Sequence, residues 1–375
     1  MSGIYIHIPF CKQACTYCDF HFSTSSKNKE ELVKSIITEI ELRKNYLTDK
    51  NINTIYFGGG TPSIVSERDL FLILDKIYKT YNVRNDAEIT LECNPDDLNN
   101  EKLKELKRLE INRLSIGLQS FDDAELKWMN RAHTAQESEA SVKRAQDKGF
   151  ENITIDLIYG SKFSNLQNWK KTLDKAISLE VQHISSYNLT IEDKTKLGHD
   201  LKHKKEQAID DEKSAELFLE MVERLERNKF IQYEISNFGK EGFFSQHNSN
   251  YWKGAHYIGL GPSAHSFDGI SRQWNIKNNN LYIKYINENN SAYFEREKLN
   301  ETERFNEYIL TSLRTIWGAD ANYLKQNFNT VFYNNFVSVA NEYIQKGHLT
   351  LANDCYTLTN SGKLLADRIA SDLFA

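Results

Sequence analysis

An alternation of short apolar runs with amphipathic helical patterns limits the folds open to this chain more than any other feature. The runs recur at intervals of about 30–40 residues as far as about residue 230. Gly3–Ile8 opens the series, and Asn53–Phe57, Ala87–Glu92, Arg113–Gly117, Asn152–Ile158 and His183–Leu189 continue it. Between them lie helical repeats such as Leu32, Val33, Ile36, Ile37 and Ile40. Ser66 with Asp69, and Thr134 with Glu137, mark helix starts, where a hydroxyl caps the first turn and an acid three residues on answers it. Six strand–helix units of this size predict an α/β fold with a parallel sheet, open or closed, because parallel neighbours need a long crossover. Ligand sites in such sheets form at the C-terminal ends of the strands.

That edge collects the chemistry-bearing residues. Cys11, Cys15 and Cys18 follow the first strand at C-x3-C-x2-C spacing. Three thiolates on a short loop match three irons of a [4Fe–4S] cube and leave the fourth iron open to a small molecule, whereas electron-transfer clusters normally have four protein ligands. Two other readings stay open: a disulfide with one thiol left over, or a structural zinc completed by His21. Gly58–Pro62 follows the second strand, and its backbone amides are candidates for the amino-acid end of a small ligand, since glycine lets a ligand approach the chain; a plain tight turn is the alternative. Glu92, at a strand end, is a candidate for an amino group or ribose hydroxyl, against a solvated loop carboxylate. Gln119 and Asp156 are polar positions in or beside apolar strands, costly unless hydrogen-bonded. Arg131 would pair with a carboxylate or lie on a helix surface. Cys93 and Cys355, far from the loop, read as small buried apolar groups.

Composition narrows the function classes. A formal charge of −5 gives no global attraction to nucleic acid or anionic membrane. No apolar run approaches the roughly 18 residues of a membrane span, and the N-terminus lacks the basic region of a signal peptide. Five cysteines, three of them clustered, point to a reducing compartment, so a soluble cytoplasmic protein is expected. After Phe238 the chain becomes glycine- and aromatic-rich, with His247, His256 and His265, and Asn275–Asn290 reads as a connector. From about Glu301 the pattern is helical, then a hairpin around Asn353–Asp354 and a last helix, which together predict a winged-helix-like domain. That stretch carries more acidic than basic side chains, so nucleic acid is not an expected partner. The expected division is 1–238 for the barrel-like part, 239–295 for a connecting segment and 296–375 for the C-terminal domain.

Tyr5-Ile6-His7-Ile8-Pro9-Phe10-Cys11, with the cysteine spacing, resembles the radical SAM superfamily. Gly58–Ser63, Leu114–Phe121 and Ile155–Gly160 are similar to the branch that contains oxygen-independent coproporphyrinogen III oxidase. The resemblance covers essentially the whole chain. It implies a partial (β/α)6 barrel with a C-terminal, mainly helical domain. It further implies a [4Fe–4S] cluster on Cys11, Cys15 and Cys18, with S-adenosylmethionine chelating the open iron. Tyr5, Gly59, Gly60, Thr61 and Glu92 match the family's positions around that cofactor. Gln119, Arg131 and Asp156 match contacts that in the oxidases surround a second cofactor molecule.

Two departures bear on the activity. The oxidases carry a fourth cysteine where this chain has Phe20, and an N-terminal extension precedes their cluster strand. With His247-Asn248-x-x-Tyr251-Trp252, both departures resemble the branch's haem chaperones. The resemblance then implies haem as ligand, haem-requiring (respiratory) proteins as acceptors, an electron donor for the cluster, and peripheral contact with a membrane. The alternative is an oxidase that cleaves S-adenosylmethionine and decarboxylates porphyrinogen propionates. His247 is the candidate haem ligand, or else it orients a loop; His7 is expected near the cluster, and His265 is a further candidate for touching the cofactor.

Overall fold

The computed structural model describes residues 2–206 and 210–375. Its main sheet has twelve strands: β1 (Ser2–Ile8), β2 (Asn51–Gly59), β3 (Asn82–Cys93), β4 (Arg113–Gln119), β5 (Asn152–Tyr159), β6 (His183–Asn188), β7 (Ile231–Glu234), β8 (Asn237–Gly239), β9 (His256–Leu260), β10 (His265–Phe267), β11 (Ser271–Asn275) and β12 (Phe294–Lys298). Their order is β12-β11-β10-β9-β1-β2-β3-β4-β5-β6-β8-β7. Strands β1 to β6 run parallel in sequence order, as the alternation predicts. On one side β9 adds to β1 in parallel and β10 to β12 continue antiparallel; on the other, β8 and β7 are antiparallel, and the sheet is a partial barrel with two free ends.

The strands have two different faces. Ile4, Ile6 and Ile8 of β1, Ile89 and Leu91 of β3, Leu114 and Ile116 of β4 and Ile155 and Leu157 of β5 are buried in one core. The same core takes Leu70, Ile73, Leu74 and Ile77 from helix Glu67–Thr80, and Leu217, Met221, Val222 and Leu225 from helix Asp211–Arg227. Successive side chains of a strand point to opposite faces. The residues between these apolar ones therefore face the barrel interior: Thr90 and Glu92, Arg113 and Ser115, Thr154 and Asp156, His183 and Ser185. The register sets them side by side, with Glu92 opposite Ser115, Ser115 opposite Thr154, and Asp156 opposite Ser185. A polar interior is thus built into the period-two pattern of strands whose other face is greasy.

The segment 239–295 is not a connector. Strand β9 pairs in parallel with β1, and β10 to β12 extend the sheet beyond it. Helix Asn279–Asn287, in the stretch expected to link domains, sends Tyr282, Ile283 and Ile286 into the main core. A fully buried carboxylate, Glu39, holds this edge. It accepts hydrogen bonds from Arg43 (3.0 Å), the Gly261 N–H (2.8 Å), the Asn275 amide (2.8 Å) and the Tyr282 hydroxyl (2.6 Å). The asparagine-rich composition hid this, because the polar side chains are caps and latches of an ordered layer.

Residues after 300 have their own core, including Phe305, Ile309, Leu313, Phe336, Tyr356 and Ile369. Helices Glu301–Leu313, Ala321–Asn327 and Thr330–Gln345 precede the expected hairpin, Leu349–Ala352 with Cys355–Leu358. Asn353 and Asp354 both have positive φ (50° and 62°), as a two-residue hairpin turn of primed type demands. A short strand, Ala319–Asp320, completes a three-stranded wing. Lys363 Nζ donates to Gln232 Oε1 (2.7 Å) and Arg314 meets Glu234 (3.4 Å), which seats this unit on the β7 side of the sheet. Among the described residues no helix is long and apolar enough to cross a membrane.

Candidate cofactor site

The cysteine loop leaves β1 at Pro9 and is pinned from several directions. The Ser23 N–H donates to the Pro9 carbonyl (2.7 Å), and the Cys11 N–H to the Ser23 carbonyl (3.0 Å). Thr16 donates to the Met129 carbonyl (3.1 Å) and accepts, at its own carbonyl, the Leu197 N–H (2.9 Å). Lys12 pairs with Asp96 (2.6 Å) and Lys194 with Asp19 (3.0 Å). All five cysteines are free thiols, so the disulfide reading is set aside. Cys11, Cys15 and Cys18 line one cavity of about 470 Å³ at the C-terminal ends of the strands, with Glu92, Gln119, Arg131 and Asp156 on its walls.

The thiols have polar neighbours. Arg131 Nη1 lies 3.3 Å from Cys15 Sγ, and the Thr61 hydroxyl donates to Cys11 Sγ (3.4 Å). Burial pushes the Cys18 thiol up to about 11, with the neighbouring cysteines adding to the rise, and pushes Cys11 up as well. Three crowded sulfurs of this kind become thiolates together only beside a strong positive centre. His21 does not join the three thiols on the cavity lining, and its Nε2 is hydrogen-bonded to Asn279 Oδ1 (2.7 Å). Among the described residues no three His, Cys, Asp or Glu side chains are set to close on a single ion. A cube does not require that arrangement, because each thiolate takes its own iron.

The glycine run behaves differently from its sequence reading. The Gly59 N–H donates to Glu92 Oε2 (3.0 Å), the Gly60 N–H to the Ile8 carbonyl (2.8 Å) and the Thr61 N–H to the Phe10 carbonyl (2.7 Å). Those three amides serve the fold, leaving none of them for a ligand. Glycine is needed for close packing: Gly59 has φ +110°, and a Cβ there would meet the His7 ring at 2.6 Å. At Gly60 a Cβ would stand 2.7 Å from the Phe10 carbonyl oxygen. The run locks β2 to the start of the cysteine loop and brings Gly59, Gly60 and Thr61 to the cavity wall.

Glu92 accepts from the Tyr56 hydroxyl (2.8 Å) and the Gly59 amide; burial, helped by the charge of Asp156, pushes its carboxyl up to about 7. Asp156 accepts from Ser115 (3.1 Å), and burial pushes it up to about 6. Gln119 is left-handed (φ 67°), at a register shift in β4 between Gly117 and Gln119. A non-glycine residue held there costs on the order of 1–3 kcal/mol, and such residues cluster at functional sites. Arg131 is not on a helix surface: Nη2 donates to Asn94 Oδ1 (2.8 Å) and to the Gly117 carbonyl (2.8 Å).

Tyr5 is one layer behind the wall. Its ring stacks on Tyr56 (centroids 6.0 Å apart), and its hydroxyl meets His7 Nδ1 (3.2 Å). His247, at the start of helix Gln246–Trp252, is 1% exposed. Its Nδ1 bonds the Thr54 hydroxyl (2.8 Å), its Nε2 bonds the Tyr251 hydroxyl (2.8 Å), and its ring stacks on Tyr56 at 4.9 Å. Burial holds it neutral, down to about 3. Both ring nitrogens are occupied, an arrangement that orients the helix inside the barrel; Glu88 accepts that helix's first amides, from Gln246 and His247 (both 3.0 Å). His7 bonds the His21 carbonyl (2.9 Å), and His265 stacks on Trp274 (6.3 Å), off the cavity.

The family model for the radical SAM superfamily matches residues 5–176. The heme chaperone HemW of Bacillus subtilis is 33% identical over 98% of both chains. The chain belongs to the HemW family. The HemW of Mycobacterium tuberculosis is 29% identical over 99% of this chain and 94% of its own. Escherichia coli coproporphyrinogen III oxidase (HemN), described as a radical SAM enzyme, shares the fold, with a TM-score of 0.85 at 19% identity over 100% of this chain and 90% of the other. Membership of the HemW branch of radical SAM proteins implies S-adenosylmethionine and a [4Fe–4S] cluster, and the residues present fit both. Three free thiols share one cavity with a guanidinium beside them. Three buried polar atoms on its lining, Arg131 Nε, Thr90 Oγ1 and His183 Nδ1, have no protein partner, as a site awaiting a polar ligand would leave them. Asn94, Arg113, Thr154 and His183 were missed in the sequence reading. For Arg113, Thr154 and His183 the signal is a polar residue at every second position of β4, β5 and β6; Asn94 directly follows the end of β3.

Proposed function

We propose that this protein binds haem and passes it to haem-requiring acceptors, respiratory proteins among them, from a cytoplasmic location with peripheral contact at the membrane. Cysteines 11, 15 and 18 would hold a [4Fe–4S] cluster, kept reduced by an electron donor, and the cavity beside them would hold S-adenosylmethionine. When bound, that pair supplies an open iron site and a reducible sulfonium. The observation that carries the reading is Phe20 at the position of the oxidases' fourth cysteine, on a chain that matches proteins named heme chaperones along its length. Arg131 would favour the Cys15 thiolate, and the Thr61 hydroxyl the Cys11 thiolate. Glu92 would take the ammonium group; Gln119 and Asp156 would take ribose hydroxyls or other polar groups; Gly59 and Gly60 would form wall, with Tyr5 backing it. His247 would ligate haem iron only by giving up Tyr251 and its stack on Tyr56.

The deciding experiment is anaerobic reconstitution followed by haemin titration and a porphyrinogen decarboxylation assay on one sample. One haem bound per chain without decarboxylation is expected. Decarboxylation without haem uptake would establish the oxidase instead, and zinc without iron in the anaerobically purified protein would remove both.

A second expectation concerns pH. Glu92, with its carboxyl near 7, is mostly neutral at pH 6 and mostly ionised at pH 8. The affinity for S-adenosylmethionine should therefore rise about tenfold across that interval, since only the carboxylate pairs with the ammonium. Asp156, near 6, shares the cavity, and Tyr56 stays neutral because burial raises its hydroxyl. Glu92→Gln should flatten the profile, whereas Asp156→Asn should leave the rise above pH 7 in place. The sign for stability is opposite: a carboxyl raised in the fold favours folding while protonated, so the apoprotein loses that contribution between about 4.5 and about 7. A flat binding profile in the unmodified protein removes Glu92 from the ammonium site.

A further inference from the structure

One aromatic ring on the lining of the cavity stands apart from the packing around it. Phe20, two residues beyond Cys18, is 71% exposed and lines the cavity mouth. Tyr187, by contrast, lines the same cavity from the interior face of β6, which it shares with His183 and Ser185. Tyr17, on the same loop as Phe20, behaves in the ordinary way: it packs on a small core of Met129, Ile158, Leu189 and Leu197. That core, the Lys194–Asp19 ion pair and the Leu197–Thr16 hydrogen bond hold the cysteine loop against the segment after β6. Phe20 is thus a wet ring on an anchored loop, where little conformational entropy is lost when a ligand covers it.

We infer that Phe20 is the stacking surface for the face of the haem macrocycle, which lies over the cavity mouth rather than inside it. This rests on the haem-binding reading above. The interior is the wrong solvent for a large apolar plane, because Glu92, Asp156 and Arg131 line it and would lose hydration without a matching partner. Its volume of about 470 Å³ is also the space assigned to the nucleoside cofactor. An apolar ring at a polar rim offers the reverse: area to bury, and a π face for a flat conjugated ligand.

The test is a titration of the full-length, cluster-loaded protein with haemin and, separately, with iron-free protoporphyrin IX. Phe20→Ala should weaken both about tenfold, which is ~1.4 kcal/mol. Phe20→Leu, apolar but without a π face, should weaken both severalfold, and Phe20→Trp should stay within about twofold of the parent. Iron, sulfide and S-adenosylmethionine binding, measured on the same samples, should not change. Equal affinities across the three variants overturn the stacking surface while leaving haem binding intact, as does a loss seen with haemin only, which would assign Phe20 to an effect on the iron. Failure of the parent protein to bind haemin is the separate result that overturns the haem reading itself. If Phe20→Ala loses its cluster, the Leu and Trp variants decide between these outcomes.

Discussion

Cys15→Ala is expected to leave the anaerobically reconstituted protein with less than about one iron per chain, against about four in the parent, and without the visible absorption of a cluster. The thiolate is one of only three on the loop, and its neighbour Arg131 lies 3.3 Å from the sulfur. Removal deprives the cube of a third of its protein ligands and leaves the guanidinium facing an apolar methyl. The fold should survive, because the loop is tied through backbone bonds at Thr16, Cys11 and Ser23 rather than through sulfur. Far-ultraviolet circular dichroism of the apoprotein should therefore match the parent's. Cys355→Ala is the control: Cys355 lies in the C-terminal hairpin and does not line the cavity, so its loss should leave iron content unchanged. Full iron and sulfide incorporation in Cys15→Ala would dismantle the cluster assignment.

The second large effect is on stability. Arg43→Ala should cost about 3–5 kcal/mol of unfolding free energy, the usual result of removing one partner from a buried ion pair. Arg43 donates to Glu39 (3.0 Å), the Gly259 carbonyl (2.8 Å) and the Ser266 hydroxyl (2.9 Å), so it joins the first helix to β9 and β10. Without it Glu39 keeps its three other donors but loses its countercharge, in a place water does not reach. The loss should be local at first: amide exchange should rise in His256–Leu260 and Ser271–Asn275 before it rises in β3 to β5. Glu39→Gln should cost a comparable amount, since it leaves the buried Arg43 cation without a countercharge and turns an amide NH2 toward two of the four donors. An unfolding free energy for Arg43→Ala, from denaturant titration, within about 1 kcal/mol of the parent would show that this edge of the sheet is held by packing alone.

Much of the scaffold was legible because it rests on local rules. Strand–helix alternation predicted the parallel run β1 to β6, and the Asn353–Asp354 pair predicted its hairpin, since positive φ is a property of two adjacent residues. The segment 239–295 was misread for the opposite reason. Strand β9 pairs with β1 across more than 250 residues, for example Gly3 with Tyr257, and no local period announces such a partner. His247 shows the same division at a single residue. Its place in an HNxxYW run invited a role as an iron ligand, but Thr54 and Tyr251 arrive from elsewhere in the fold and from one helical turn on, and take both nitrogens.

The covalent spacing of Cys11, Cys15 and Cys18 and the positions of Glu92 and Gln119 at strand ends are properties of the sequence, because chain connectivity limits which groups a short loop and a sheet edge can bring together. Which donors and lone pairs stay free is a property of the tertiary structure. The amides of Gly59, Gly60 and Thr61 are used within the fold, whereas Arg131 Nε and His183 Nδ1 are left open. A hydrogen bond needs its partner within about 3 Å, and only folding decides which distant residue arrives there.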